Sequence, residues 1–156
     1  MSTSQDRNAT AAQHGAEAHA GVRAVMRIVM AVFYLAAGLL HVGSAGKFMP
    51  ILPDWVPRPE FVIVATGWCE IAGAIALLTP RLRRAAGVML ALYAICVFPA
   101  NIKHALDHID LPGLPSSWWY HAPRLAMQPV LVWWALWCSG VVAWPFKAGA
   151  PHRQAG

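Results

Sequence analysis

Polar and apolar positions fall into long blocks along this chain. Four stretches, residues 25–45, 61–79, 85–102 and 125–146, are almost free of charge. Each is long enough to carry a helix across about 30 Å of hydrocarbon, which takes roughly 20 residues. Arg27 stands at the start of the first block, where a long side chain reaches the headgroups. Glu70 lies near the middle of the second block and Pro99 near the end of the third. A proline there leaves the carbonyl of Ile95 without its helical donor and bends the helix. Pro129 comes early in the fourth block, where a missing N–H costs little if the regular helix begins near Gln128. The pattern predicts an all-α integral membrane protein, a four-helix antiparallel bundle spanning residues 22–147. Residues 1–21 are polar without apolar periodicity and read as a mobile tail, and residues 148–156 as a short C-terminal tail.

Composition strengthens this reading. Of 156 residues 58% are apolar, 12% are charged and eight are Trp, more apolar surface than a soluble domain of this length can hide. The net charge of +5 comes from basic residues scattered over span-flanking positions, so no nucleic-acid surface is expected. Their distribution predicts orientation instead. Arg7, Arg23 and Arg27 precede the first span, Arg81, Arg83 and Arg84 fill the turn after the second, and Lys147 and Arg153 follow the fourth. That side is expected to be cytoplasmic, giving a multi-pass protein of the cytoplasmic (inner) membrane with both termini inside. On the opposite side Lys47, Arg58, Lys103 and Arg124 are offset by Asp54, Glu60, Asp107 and Asp110, with Trp55, Trp118, Trp119 and Tyr120 as interfacial anchors. Gly43-Ser44-Ala45-Gly46 offers small residues after an apolar run, but the long polar segment ahead of it favours a retained span over a cleaved signal.

Helical spacing sorts residues onto inward faces, since polar and small side chains belong at helix contacts and large apolar ones at lipid. Tyr34, Gly38 and His41 align in the first span. Thr66, Gly67, Glu70, Gly73 and Ala74 align in the second, Tyr93, Val97, Asn101 and His104 in the third, and Gln128, Val132, Ala135 and Ser139 in the fourth. Trp133, Trp137 and Trp144 fall on another face of the fourth span, a candidate partner surface. Counting depth from the basic markers puts Tyr34, Glu70, Tyr93 and Ser139 roughly 10 to 16 Å in, as one layer. His41, Asn101, His104 and Gln128 fall at roughly 20 to 30 Å, as a second polar layer.

Glu70 is the sharpest chemical feature, because a lone carboxylate in hydrocarbon costs several kcal/mol unless it is protonated or paired. With no Lys or Arg at its depth, a neutral glutamic acid bonded to Tyr34, Tyr93 or Ser139 is expected. His41 and His104 sit near outer helix ends at depths that do not match, which disfavours a bis-histidine haem. No metal site is expected. Cys69, Cys96 and Cys138 lie inside the spans without a C-x-x-C pair, so thiol exchange by the chain itself is not expected.

The order of motifs resembles the DoxX-like family of small four-helix membrane proteins. The first span ends in Gly38-Leu39-Leu40-His41, and an outer loop runs Phe48-Met49-Pro50-Ile51-Leu52-Pro53-Asp54-Trp55-Val56-Pro57-Arg58-Pro59. Thr66-Gly67-Trp68-Cys69-Glu70-Ile71-Ala72-Gly73, Thr79-Pro80-Arg81 and Val97-Phe98-Pro99-Ala100-Asn101-Ile102 complete the pattern. The resemblance covers about residues 24 to 140. It implies a four-helix membrane fold and, for some members, association with a thiosulfate:quinone oxidoreductase or with superoxide-detoxifying and thiol-handling enzymes.

Three functions compete. The first is a redox-associated subunit, linked to quinone or oxidative stress, with Glu70 as proton acceptor and His41 and Asn101 as its neighbours. It would be a partner of a membrane or peripheral oxidoreductase more than an enzyme alone. The second is a small proton-conducting or transport protein, favoured by a buried carboxylate beside a proline-bent helix. The third is a scaffold that recruits an enzyme through the Trp face.

Overall fold

The computed structural model describes residues 3–107, 109, 115 and 117–144. Every regular element among them is helical: α1 (Thr3–Gly43), α2 (Ala45–Phe48), a 3-10 turn (Met49–Ile51), α3 (Pro59–Leu78), α4 (Arg83–Leu106) and α5 (Trp118–Cys138). The boundaries follow local chemistry. Pro59 opens α3, where its fixed φ suits the first turn and its missing N–H has no helical partner to lose. Thr79, held extended ahead of Pro80, ends it. Helix α5 stops on a left-handed glycine: Gly140 has φ 83, its N–H bonds the carbonyl of Trp137 and that of Val141 bonds Leu136. Those two bonds satisfy the terminal carbonyls that a helix otherwise leaves bare.

Three segments, Gln13–Gly43, Pro59–Leu78 and Arg83–Leu106, are long and apolar enough to cross a membrane. Their large apolar side chains point outward: Val32, Leu39, Trp68, Ile75, Leu92 and Ile95 are all more than half exposed. So large an apolar surface marks a chain built for contact with lipid.

Three expectations need correction. The break near residue 21 is absent, because α1 runs as one helix from Thr3. Residues 9–24 are rich in alanine and lack proline, so helix propensity carries through a stretch with no apolar stripe. The fourth helix lies earlier than residues 125–146: it begins at Trp118, contains both Pro123 and Pro129, and ends before the glycine stop. Third, the Trp residues do not form one outer face, since Trp137 is buried in the core, with Trp133 stacked on it at 5.6 Å. Trp144, beyond the helix, is exposed. Residues 145–156, which include Phe146, Lys147, Arg153 and the C-terminal tail, lie outside the described residues, as do His108 and most of the α4–α5 connection.

Helix α1 packs closely on α3, and α4 on α5; the two pairs meet along α3–α4 and, more sparsely, α1–α5. The pairs are sealed together at one end. There Met30 and Ala31 of α1, Leu77 of α3, Leu90 of α4 and Ala135 and Cys138 of α5 share one core, and Gly87 of α4 lies flat against Ser139. Towards the other end they part.

Candidate functional site

The closest helix approach sets the position of the most reactive pair. A Cβ built on Gly38 would lie 2.6 Å from the carbonyl oxygen of Gly67, and one on Gly67 would lie 2.9 Å from that of Gly38. Only two facing glycines permit backbones this near. His41 lies beside Gly67 and Glu70 beside Gly38, and across this close contact their side chains meet: His41 Nδ1 is 2.5 Å from Glu70 Oε2. Glu70 is 3% exposed, so its charge is compensated from within the protein. A proton held between the two can sit on either atom, which lets the pair give or take one. Tyr93 of α4 lines the same space as Glu70 and Thr66, and Tyr34 packs edge-on to the Tyr93 ring at 6.1 Å.

A second polar group comes from α4 and α5. Arg124 Nη1 meets His104 Nδ1 at 2.6 Å, and its Nη2 donates to Asn101 Oδ1. Asn101 Nδ2 donates to Gln128 Oε1 at 3.2 Å, and Gln128 Nε2 donates to the backbone carbonyl of Ala94. Arginine can only donate, so it fixes the direction of the whole chain: His104 Nδ1 must accept, and both amides are oriented. Two of the five guanidinium N–H groups are used in this way; no carboxylate among the described residues pairs with Arg124.

Between these groups lies a cavity of about 760 Å³ lined by Tyr34, His41, Glu70, Tyr93, Asn101, Arg124 and Gln128, with apolar walls from Phe33, Ile63, Val97 and Leu131. Phe48, Leu52 and Trp55 of the proline-rich segment before α3 line it as well. Lys103 ties that segment down, donating to the carbonyl of Leu52 at 2.8 Å and to Asp54 at 2.7 Å.

Six of the eight residues singled out in the sequence thus line one space. The two-layer scheme does not survive: His41 and Glu70, assigned to different layers, are in contact. Straight-helix depths separate them by only a few Å, less than two side chains span. The expected partner of Glu70 changes accordingly, from Ser139 and the tyrosines to His41. Ser139 belongs to the sealed end, where its Oγ donates to the carbonyl of Leu136. His104 stands behind Arg124, edge-on to His121 at 4.8 Å, and does not line the cavity. Sequence alone gives Arg124 and Lys103 only as topology markers. The spacing Arg124-x-x-x-Gln128, which puts both on one helix face, was the available clue. Among the described residues no three His, Cys, Asp or Glu side chains converge as a metal-holding group.

Comparison with known proteins places the chain more firmly than its chemistry does. No curated protein and no solved structure matches it. A family model, described as a domain of unknown function, DUF8561, matches residues 30–139. The match takes in α3, α4, α5 and the part of α1 that carries Gly38 and His41, and the chain belongs to the DUF8561 family.

Proposed function

We propose that this protein is a DoxX-like, redox-associated subunit of the cytoplasmic membrane, and that its cavity holds the headgroup of a quinone. The observation that carries the reading is the pairing of apolar walls with polar groups on two sides of one space. His41, Glu70 and Tyr93 stand on one side, and Arg124, Asn101 and Gln128 on the other. A quinone ring is apolar on its faces and has carbonyl oxygens at its edges that accept hydrogen bonds. Guanidinium, amide and hydroxyl N–H and O–H groups suit those oxygens, and reduction to quinol needs protons that a His–Glu pair can hand over. The chain's residues bind and orient the ring and hold a proton at Glu70; electrons come from a partner oxidoreductase.

The test uses purified protein and a soluble quinone analogue. At about a hundredfold excess over its Kd, a bound analogue adds about 2.7 kcal/mol of stability and raises Tm by roughly 5–10 °C. No shift with any quinone class would end this reading.

The reading includes four crossings with both termini cytoplasmic. Helix α5, at 21 residues, is about 31 Å long and packs on α4 and α1. Its Gln128 is buried against α4. The turn between α3 and α4 carries Arg81, Arg83 and Arg84, which favours the cytoplasm. Single cysteines introduced into a variant lacking Cys69, Cys96 and Cys138 report this directly. A membrane-impermeant maleimide applied to spheroplasts is expected to label position 54 and spare position 81; the reverse pattern would invert the protein.

A further inference from the structure

The sealed end, opposite the cavity, gathers three guanidinium groups around the end of α5. Arg27 donates its Nε–H to the carbonyl of Cys138 at 3.0 Å. Arg23, one turn earlier on α1, lies over the Trp137 ring, 5.2 Å from its centroid. Arg83, the first residue of α4, stands one turn ahead of Gly87, which packs on Ser139 at the end of α5, and so comes to the same end as Arg23 and Arg27. Its Nε is buried without a hydrogen-bond partner. Like charges brought together at the edge of an apolar body are costly unless an anion joins them.

Among the described residues, the protein supplies only part of that anion. The C-terminus of α5 offers the equivalent of about half a negative charge, against three full positive ones. Among the described residues the ion pairs are His41–Glu70 and Lys103–Asp54, both at the other end, and no carboxylate reaches the three arginines. Apolar surface adjoins the cations: Val22, Val25 and Val29 of α1 are all about half exposed. Cations beside lipid-facing apolar side chains match a phosphate that carries acyl chains better than a free one.

We propose that Arg23, Arg27 and Arg83 form a headgroup site for an anionic phospholipid bearing two phosphates, with its acyl chains along Val22, Val25 and Val29. Two phosphates carry the charge that three guanidiniums and one helix end leave unbalanced. The site is separate from the cavity and stands whether or not a quinone binds there.

The test takes delipidated full-length protein in a non-ionic detergent and adds diphosphatidylglycerol, phosphatidylglycerol, phosphatidylcholine or inorganic phosphate. Binding is read by native mass spectrometry and by thermal unfolding. Diphosphatidylglycerol is expected to bind most tightly and to raise Tm, and phosphatidylcholine to do neither. Changing both Arg23→Gln and Arg83→Gln is expected to weaken its binding about thirtyfold, while Arg84→Gln, in the same turn but exposed, shifts it less than about twofold. Arg27 is left in place because its bond to Cys138 closes the end of α5. Equal binding of phosphatidylglycerol, equal protection by inorganic phosphate or an unaffected double variant overturns the assignment. If the double variant does not fold, the wild-type headgroup series decides alone, since binding without headgroup preference contradicts the site.

Discussion

Glu70→Ala is expected to cost about 3 kcal/mol of folding stability, because it breaks a buried pair and leaves the His41 imidazole without its partner. Glu70→Gln is expected to cost only about 1 kcal/mol. The amide keeps the shape, and its carbonyl still accepts from His41 Nδ1, but it can no longer take up a proton. The two variants therefore separate structure from function. If the proton moves, Gln folds into the membrane at near-normal abundance and yet fails to support whatever redox or protection phenotype depends on the gene. A Gln variant that is both abundant and fully functional leaves Glu70 as a structural contact and removes the proton from the mechanism. Adding His41→Ala completes a double-mutant cycle, expected to return a coupling of about 1–3 kcal/mol for residues in direct contact.

An effect of similar size is expected one turn away, at the glycine contact. Gly67→Leu must place a side chain where even a Cβ would lie 2.9 Å from the carbonyl oxygen of Gly38 and 2.8 Å from Val42. A backbone oxygen cannot swing aside, so α1 and α3 must separate, at an expected cost of about 3 kcal/mol. The informative comparison is alanine at Gly38 and at Gly21. Both changes raise helix propensity by up to about 1 kcal/mol, but Gly21 faces open space and Gly38 does not. Thermal unfolding in detergent should show Gly21→Ala neutral or stabilised and Gly38→Ala destabilised. Equal tolerance would mean that α1 and α3 are not held by this contact. Gly73, which the sequence grouped with Gly67, works differently: its neighbours are Met89 and Leu90 side chains, which can move.

The long apolar helices were legible because length and hydropathy need no knowledge of tertiary contacts. The start of α5 was not. Trp118, Tyr120, His121, Pro123 and Arg124 look like an interfacial loop when read alone, and only packing on α4 shows why this segment is helical. The end of α5 could have been read from Ser139-Gly140, since glycine after a helical run is a common stop. At the site, residue types and faces were recovered for Tyr34, His41, Glu70, Tyr93, Asn101 and Gln128. The pairings were not, because straight-helix depth cannot resolve one turn and says nothing about which two helices stand closest. The Gly38–Gly67 approach decides that His41 reaches Glu70 first. Arg124 was missed for a related reason: a cation near a helix end serves topology in most membrane proteins, and its role as fixed donor to Asn101 and His104 appears only once α4 and α5 are side by side.

The claim that the space between the two helix pairs binds a quinone is tested most directly by photolabelling. An azidoquinone irradiated in native membranes, followed by peptide mapping, should place label on the cavity-facing parts of α1 and α5, near Phe33, Met127 and Leu131, and excess unmodified quinone should remove it. Label spread over outward residues such as Ile75 and Leu92, or label that unmodified quinone does not displace, would contradict the account.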